Sequence, residues 1–389
     1  MPSPAQGFPA AEFQARVARA HALMAEEGLA AIFVTAEPEV RYLTGFLTRF
    51  WESPTRPWYV ISPAGGDPVA VIPSIGAHLM GQTWLHDIRT WQAPDYQDDG
   101  ISLLVDTLAE LVPSGRIGVP SGMESHLRMP LGDWQRLTRA IGRDRFVPDG
   151  DIMRRLRLVK SEAEIAKIRH ICGIADRSFA RVPQEIAIGT PLEEVFRRFQ
   201  MMCLEEGADW ISYLAGASGQ DGYGDVISPA TSAPIAQGDV LMLDTGAVWD
   251  GYFCDFDRNF AVGAVSSGVK DAHSRLIDAS DAAFEVAKPG AMAADLYHAM
   301  DAIVTGGQGG GSAGRLGHGL GMQLTEWPSL IPQDMTVLEP GMVLTLEPGI
   351  EVAPGKSLVH EENIVITATG AEYLSTPALR DLPLIGRNT

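Results

Sequence analysis

Apolar residues recur at two different spacings along the first part of the chain. Residues 11–27 carry apolar positions at helical spacing and stop at Gly28, and the run AAIFVTA at residues 30–36 is typical of a buried strand. Strand-like runs follow near residues 60 and 70, and helical patterns lie at Leu103–Leu111 and Leu131–Ile141. This alternation predicts a smaller α/β domain over residues 1–150.

The second part of the chain, residues 155–389, shows a different order of elements. Ser161 and Glu164 fit a capping box at the start of one helix. Thr190, Pro191 and Glu193 predict a second start, with Thr190 as N-cap and Pro191 as the first helical residue. Helical patterns at 268–288 and 292–304 are combined with strands that carry acidic residues, which predicts an α+β domain.

The segment at residues 239–263 predicts a hairpin with acids on one face. Asp250-Gly251 is a strong two-residue turn signal, because both positions tolerate a positive φ. Such a turn sets Trp249 opposite Tyr252, Gly246 opposite Asp255 and Asp244 opposite Asp257, unless a bulge shifts the register. Asp244, Asp255 and Asp257 then share one face, either in water or against a cation.

Three later segments add candidate metal ligands at the edges of apolar elements. His318 lies between glycines, Glu347 ends the apolar run MVLTL, and Glu361 precedes the apolar strand NIVIT. With Asp244 and Asp255 they form a set of four carboxylates and one imidazole, a donor set that suits Mn, Fe(II), Co or Zn. Two such ions would acidify a shared water to hydroxide and polarise the bond that it attacks, which is the chemistry of hydrolysis.

Composition narrows the classes of partner. The 389-residue chain has a net charge of −19 and no Lys/Arg-rich run, so we expect neither a nucleic-acid partner nor an anionic membrane surface. No apolar run approaches the ~18 residues of a membrane span, and the N-terminus lacks the basic start of a signal peptide. Three widely spaced cysteines argue against a disulfide framework, and we expect a cytoplasmic protein.

The order of these motifs resembles that of metallopeptidase family M24, the creatinase/aminopeptidase P/prolidase group with the "pita-bread" fold. The resemblance rests on Asp244 and Asp255, then GHGLG, LEPG and EEN, with YLTGF at residues 42–46 resembling the creatinase-type N-terminal domain. It implies a pita-bread catalytic domain over 155–389 behind a creatinase-like domain over 1–150. It also implies two divalent ions, manganese first among them, with Asp255 and Glu361 as bridging ligands, and a homodimer.

Three positions depart from the pattern of the proline-specific members. Thr325 and Ile227 stand where those peptidases carry histidines that position the substrate and stabilise the tetrahedral intermediate. Asp257 stands where they commonly carry threonine. It faces the metals as an additional acid, or else it pairs with Arg258 or a lysine.

A loop of the N-terminal domain, residues 45–58, combines arginines with tryptophans. Arginine offers a planar fork to a carboxylate, and tryptophan covers an apolar or cationic group. By the family resemblance, Arg49, Trp51 and Arg56 are predicted to contact the substrate. The alternative is an exposed loop whose tryptophans pack on the core of their own domain.

The sequence thus predicts a hydrolase that cleaves a C–N bond in a peptide or amide by metal-bound hydroxide, in the manner of an Xaa-Pro dipeptidase or aminopeptidase. Glu347, Thr325 and Asp257 are the predicted catalytic residues, with Glu347 as proton shuttle by analogy with the family. A second hypothesis keeps the metals but takes an osmolyte-like small molecule, as an ectoine hydrolase or a dimethylsulfoniopropionate lyase does. A third is an inactive binding protein on the same fold.

Overall fold

A computed structural model describes residues 3–51, 57–309 and 314–386. The chain divides into two compact units, an N-terminal unit (Ala5–Arg157) and a C-terminal unit (Leu158–Thr389). Within the ranges that the structure describes, no helix is long and apolar enough to cross a membrane.

The N-terminal unit is built on one mixed sheet with the strand order β4-β3-β2-β1-β5-β6. Its elements are α1 (Ala10–Glu27), β1 (Leu29–Val34), α2 (Glu37–Thr44), β2 (Tyr59–Pro63), β3 (Val69–Pro73), α3 (Ala77–Met80), β4 (Ile88–Trp91), α4 (Ile101–Leu111), β5 (Arg116–Val119), α5 (Leu131–Ile141), β6 (Phe146–Pro148) and α6 (Ile152–Leu158). Short 3-10 turns lie at Ser74–Gly76 and Arg143–Arg145. The predicted α/β class is confirmed.

Helices α4 and α5 supply much of the core of this unit. Leu104, Leu108 and Leu137 are fully buried and belong to the same apolar cluster as Phe33 and Ile61 of the sheet. The period of about 3.6 residues brings such positions to one helix face, whose burial stabilises helices that would be marginal alone. The sheet therefore serves as the base on which both helices fold.

The C-terminal unit contains two sheets and a hairpin, flanked by four helices. The first sheet has the strand order β18-β10-β8-β7, with β9 beside β8, and the second has the order β12-β11-β13-β16-β17. The elements are α7 (Glu162–Glu185), α8 (Leu192–Glu205), β7 (Trp210–Gln220), β8 (Asp239–Trp249), β9 (Tyr252–Phe253), β10 (Phe256–Val262), α9 (Ser267–Val286), α10 (Ala293–Val304), β11 (His318–Gly319), β12 (Glu326–Ser329), β13 (Val343–Leu346), β14 (Gly349–Ala353), β15 (Lys356–Val359), β16 (Glu362–Ile366), β17 (Ala371–Tyr373) and β18 (Leu384–Ile385). Most strand pairs are antiparallel, and the predicted α+β class is confirmed.

The starts of α7 and α8 test the two predicted caps. At α7 the Ser161 hydroxyl accepts from the Glu164 amide, and the Ser161 amide donates to the Glu164 carboxylate, so the capping box is confirmed. The prediction for α8 is wrong, because Pro191 is the N-cap residue and Thr190 lies outside the helix. The physical reason is that the first amides of α8 donate to the carbonyl groups of Ala233 and Thr231, so no side-chain cap is needed.

The acidic hairpin folds as the sequence predicts. Asp250 and Gly251 have φ of 47° and 76°, as a two-residue turn between strands requires. Trp249 pairs with Tyr252, and Asp244 pairs with Asp257. Cys254 and Asp255 separate β9 from β10, but the register is the same on either side, and the Cys254 amide still donates to the Ala247 carbonyl of β8. In this register Gly246 stands opposite Asp255, as the sequence predicts.

A buried ion pair in the N-terminal unit gives a test of the packing. Glu39 Oε1 and Arg157 Nη1 are 2.7 Å apart, and the two side chains are only 3% and 2% exposed. Glu39→Ala leaves a buried guanidinium without this partner, so we expect a loss of about 3–5 kcal/mol in the free energy of unfolding. Urea denaturation followed by circular dichroism measures it.

The matched control is the exposed pair of Arg197 and Glu194, whose atoms are 2.6 Å apart. Glu194→Ala should leave the urea midpoint nearly unchanged, because water already screens that pair. Equal midpoint shifts for the two variants would contradict the packing described here.

Candidate metal centre

The proposed ligands lie on or beside strands of both sheets of the C-terminal unit, and four of the five are at strand ends. Asp244 is in the middle of β8, and Asp255 immediately precedes β10. His318 begins β11, Glu347 follows β13, and Glu361 precedes β16. Leu346 pairs with Glu362, so Glu347 and Glu361 emerge side by side where β13 ends and β16 begins.

Four of these side chains meet at one point. Single ligand atoms of Asp255, His318, Glu347 and Glu361 all lie within 4.8 Å of one another. His318 Nε2 is 2.9 Å from Glu347 Oε1 and 3.3 Å from Asp255 Oδ2. The other ring nitrogen, Nδ1, is 2.8 Å from the Gly319 carbonyl oxygen, so Nδ1–H donates there and Nε2 is directed at the carboxylates.

Asp244 lies outside this group of four and is partly buried. One oxygen of Asp244 and one of Glu361 are buried and have no hydrogen-bond partner among the described residues. A buried carboxylate oxygen without a partner is costly unless a cation neutralises it. Asp244 therefore has the environment expected of a ligand on the second side of a two-ion centre.

The pKa values in the cluster reflect carboxylates crowded away from water. Burial raises the pKa of Asp255 to about 6. Burial, with the charge of Asp255, raises the pKa of Asp244 and Glu361 well above their usual values. Burial opposes the charge on His318, but Glu347 and Asp255 overcome it and raise its pKa to about 10. In turn His318 holds the pKa of Glu347 at about 2 despite burial.

This donor set fits divalent metal ions. Its donors are carboxylate oxygens and one imidazole nitrogen, and no cysteine belongs to it. The unpartnered oxygens and the raised pKa values of Asp244 and Glu361 are what crowded, desolvated acids show when no cation is bound. A catalytic site accessible to substrate suits this arrangement better than a closed structural zinc site.

Asp257 lies in the interior, next to the segment that carries Glu361. Its Oδ1 accepts from the Glu361 amide at 2.9 Å and is 3.4 Å from His360 Nδ1. The carboxylate of Asp257 therefore does not pair with Arg258, which contacts Glu362 at 2.9 Å instead. Of the two alternatives for Asp257, the structure favours the acid that faces the metal-ligand segment.

The positions of the two missing histidines carry weaker groups. Thr325 Oγ1 accepts a hydrogen bond from Arg315 Nη2 at 3.2 Å. The side chain of Ile227 is 82% exposed, and its backbone amide donates to Asp225. Arg315 also belongs to the surroundings of the centre, because its charge acts to lower the pKa of Asp255.

The residues predicted to bind substrate belong to the N-terminal unit. The Trp51 ring packs against Phe46 and Trp58 at centroid distances of 6.5 and 6.1 Å, and the Arg128 guanidinium lies 5.3 Å from it. Arg49 is an exposed residue of the same loop, and Arg56 lies outside the described residues. Trp51 thus packs on its own unit, and the substrate role of this loop stays a prediction.

Sequence reasoning missed two residues that shape the centre. Asn363 makes hydrogen bonds with both backbone groups of Asp255. Tyr213 of β7 faces the acids, and burial together with the charges of Asp244 and Asp255 raises its pKa. The position of Asn363 in the motif EEN was a usable signal, whereas nothing local to Tyr213 distinguished it from a strand residue.

Comparison with known proteins places both units. Residues 166–368 match metallopeptidase family M24, and residues 16–159 match the creatinase/prolidase N-terminal domain. The chain is 32% identical over 257 residues to an Xaa-Pro dipeptidase of Pyrococcus horikoshii, which covers 65% of this chain and 72% of that protein. It is 29% identical over 367 residues to a probable dipeptidase PepE of Mycobacterium bovis, which covers 94% of each chain.

Solved structures give the same assignment. The dipeptidase PepE of Mycobacterium ulcerans superposes with a TM-score of 0.82 at 26% identity, over 98% of this chain and all of that one. The X-Pro aminopeptidase of Thermotoga maritima gives a TM-score of 0.80 at 26% identity, over 95% of this chain and 99% of that one. Because the family match covers more than half of the sequence and the metal-ligand motifs fall inside it, the chain belongs to metallopeptidase family M24.

Proposed function

We propose that this metallohydrolase cleaves the C–N bond of short peptides, with Xaa-Pro dipeptides as the first substrate class. The observation that carries the proposal is the buried group of Asp255, His318, Glu347 and Glu361 in a chain that matches dipeptidases along nearly its whole length. Asp244 completes the proposed ligand set. Glu347 and Asp255 are proposed both to bind the metal ions and to set the pKa values of their neighbours in the centre.

Bound divalent ions would supply a water of lowered pKa and would polarise the scissile carbonyl. Residues of the chain would orient the ligands and transfer the proton. His318 is held in one orientation by the Gly319 carbonyl, so the imidazole needs no reorganisation to bind a cation. Glu347 is the most exposed of the four clustered side chains, at 22%, which lets it exchange a proton with solvent. We therefore assign the proton shuttle to Glu347.

A second candidate substrate is a small osmolyte-like molecule. The observation that favours it is the pair of departures at Thr325 and Ile227, where the hydroxyl of one is engaged by Arg315 and the side chain of the other is apolar and exposed. Neither supplies the titratable donor of an imidazole. A binding protein without catalysis is disfavoured, because an idle site has no use for a cluster of buried acids whose burial is costly.

Three finer points belong to the same proposal. Manganese is the proposed metal, because oxygen-rich ligation suits it. The proposed active form is a cytoplasmic homodimer; its three cysteines are unpaired and buried, which suits a reducing compartment. The creatinase-like and catalytic domains are proposed at 1–150 and 155–389, close to the division of the contacts between Arg157 and Leu158.

Metal content tests the centre directly. After reconstitution with Mn(II) or Co(II) and removal of excess ion, about two ions per chain are expected by elemental analysis. Asp255→Asn should lower this number, because it removes the charge of a ligand shared by both ions, while Asp271→Asn on the exposed surface of α9 should not. Less than one ion per folded wild-type chain would rule out the two-metal proposal.

The pH dependence of metal binding has a defined sign. The pKa of Asp255 is about 6 without metal, so the carboxyl must lose its proton to bind a cation at lower pH. His318, with a pKa of about 10, must also release a proton, so we expect the affinity for Co(II) to fall as the pH is lowered from about 8 to about 5, roughly tenfold per pH unit for each displaced proton. The fall should be steeper below about pH 6, where Asp255 also carries a proton. Calorimetry in buffers of different ionisation enthalpy should also show proton release. An affinity that does not change between about pH 5 and about pH 8 would contradict the ligand set.

Substrate specificity is tested with Xaa-Pro dipeptides and one substitution. The Mn-loaded wild-type protein should hydrolyse them, and Asp255→Asn should not. Thr325→His should raise kcat/KM by about tenfold, or ~1.4 kcal/mol, because it restores an imidazole donor. Thr369→His, in an exposed turn, is the control. If Xaa-Pro dipeptides are inert while two ions are bound, the osmolyte-like candidate replaces the peptidase.

A further inference from the structure

We propose that Asp257 and Asn363 are positioning residues that form a reciprocal clamp on two metal ligands. The side chain of Asn363 bonds the backbone of Asp255, and the side chain of Asp257 bonds the backbone of Glu361. The inference rests on the ligand assignment made under the proposed function. In this proposal the clamp fixes the spacing between the Asp255 and Glu361 carboxylates.

The first half of the clamp satisfies both backbone groups of Asp255. Asn363 Oδ1 accepts from the Asp255 amide at 3.0 Å, and Asn363 Nδ2 donates to the Asp255 carbonyl. A primary amide carries one acceptor and one donor group, so it can stand in for a strand partner. Asp255 needs such a partner because the preceding residue, Cys254, donates its amide to Ala247 of β8, and in an antiparallel ladder the next residue directs its backbone groups away from that strand.

The second half holds Glu361 in the same way. Asp257 Oδ1 accepts from the Glu361 amide at 2.9 Å, and Arg258 Nη1 donates to the Glu361 carbonyl at 3.1 Å. Glu361 also lies in a gap, between the end of β15 and the start of β16. Both ligands therefore lie just outside the assigned strands, and side chains from the opposite segment satisfy their backbone groups.

A chain of buried side chains fixes the position of Asp257. His360 Nδ1 is 3.4 Å from Asp257, and His360 Nε2 is 3.3 Å from Glu362. Glu362 in turn contacts Arg258 at 2.9 Å, which returns the chain to the residue that holds the Glu361 carbonyl. All four side chains are at most 10% exposed. The closed circuit leaves the Glu361 backbone little freedom to move.

The two holds are reciprocal in sequence as well as in space. Asp257 follows Asp255 by two residues, and Asn363 follows Glu361 by two residues, so each segment carries one ligand and one holding side chain. If either hold fails, the backbone of that ligand loses its side-chain partner and the two carboxylates lose their fixed separation. Partners that orient metal ligands are typically worth 10–100-fold in metal affinity. The clamp should therefore act on metal binding more strongly than on folding.

Asn259 provides a matched control on the same strand as Asp257. Its Nδ2 donates to the Val359 carbonyl at 2.7 Å, its Oδ1 accepts from the Tyr223 hydroxyl at 3.2 Å, and it is 2% exposed. Asn259→Ala breaks a buried cross-strand bond of the same kind, but to a residue that carries no proposed ligand. Loss of stability without loss of metal affinity is the behaviour of a merely structural bond.

The experiment compares Asp257→Ala, Asn363→Ala and Asn259→Ala in the full chain. Co(II) dissociation constants come from competition with a chelator, the visible absorption of bound Co(II) reports the ligand geometry, and urea denaturation of the metal-free proteins reports folding. We expect the two clamp variants to bind Co(II) about 10–100-fold more weakly with altered absorption. Asn259→Ala should keep the wild-type affinity and spectrum even where its urea midpoint falls.

Conservative variants keep the test valid if an alanine variant fails to fold. Asp257→Asn retains the oxygen that accepts from Glu361 and should recover most of the affinity. Asn363→Asp loses the donor to the Asp255 carbonyl and should not recover it. Wild-type affinity in both clamp variants, or an equal loss in Asn259→Ala, contradicts the clamp alone. A wild-type protein that binds no Co(II) contradicts the ligand assignment, and the clamp with it.

Discussion

The C-terminal unit depends on the cost of burying several carboxylates side by side. Asp255 and Glu361 are buried, Asp244 is partly buried, and one oxygen each of Asp244 and Glu361 is buried with no hydrogen-bond partner among the described residues. Mutual repulsion and burial both favour their protonated forms, as the raised pKa values show. Divalent cations reverse that preference, so the same crowding that strains the metal-free centre would give it affinity for metal.

The architecture brings these acids together from the middle of one strand, β8, and from positions just before two others, β10 and β16. Regular strands fix the backbone but also direct alternate side chains to opposite faces. Asp255 and Glu361 instead lie just outside the assigned strands, and buried side chains satisfy their backbone groups. This arrangement separates two tasks: the sheets provide a rigid frame, and Asn363 and Asp257 hold the ligands within it. The family assignment and the local geometry thus point to the same metal centre.

Local signals in the sequence were enough for the elements whose geometry is determined locally. Asp250-Gly251 set the register of its hairpin, and with it the pairing of Asp244 with Asp257, because a two-residue turn permits few other strand registers. The start of α8 was misplaced because its first amides are satisfied by carbonyls some forty residues away in the chain. The role of Asn363 was missed because its partner Asp255 is 108 residues distant, and the motif EEN marks the residue without indicating that contact.

The central claim is that these acids hold a pair of ions. A crystal of the full chain grown with Mn(II), measured near the manganese absorption edge, tests this most directly. The account predicts two anomalous peaks about 3.5–4 Å apart. Asp255 and Glu361 should lie between the two peaks, with Asp244 on one side and His318 and Glu347 on the other. A single peak, or two peaks that Asp255 and Glu361 do not bridge, would contradict it.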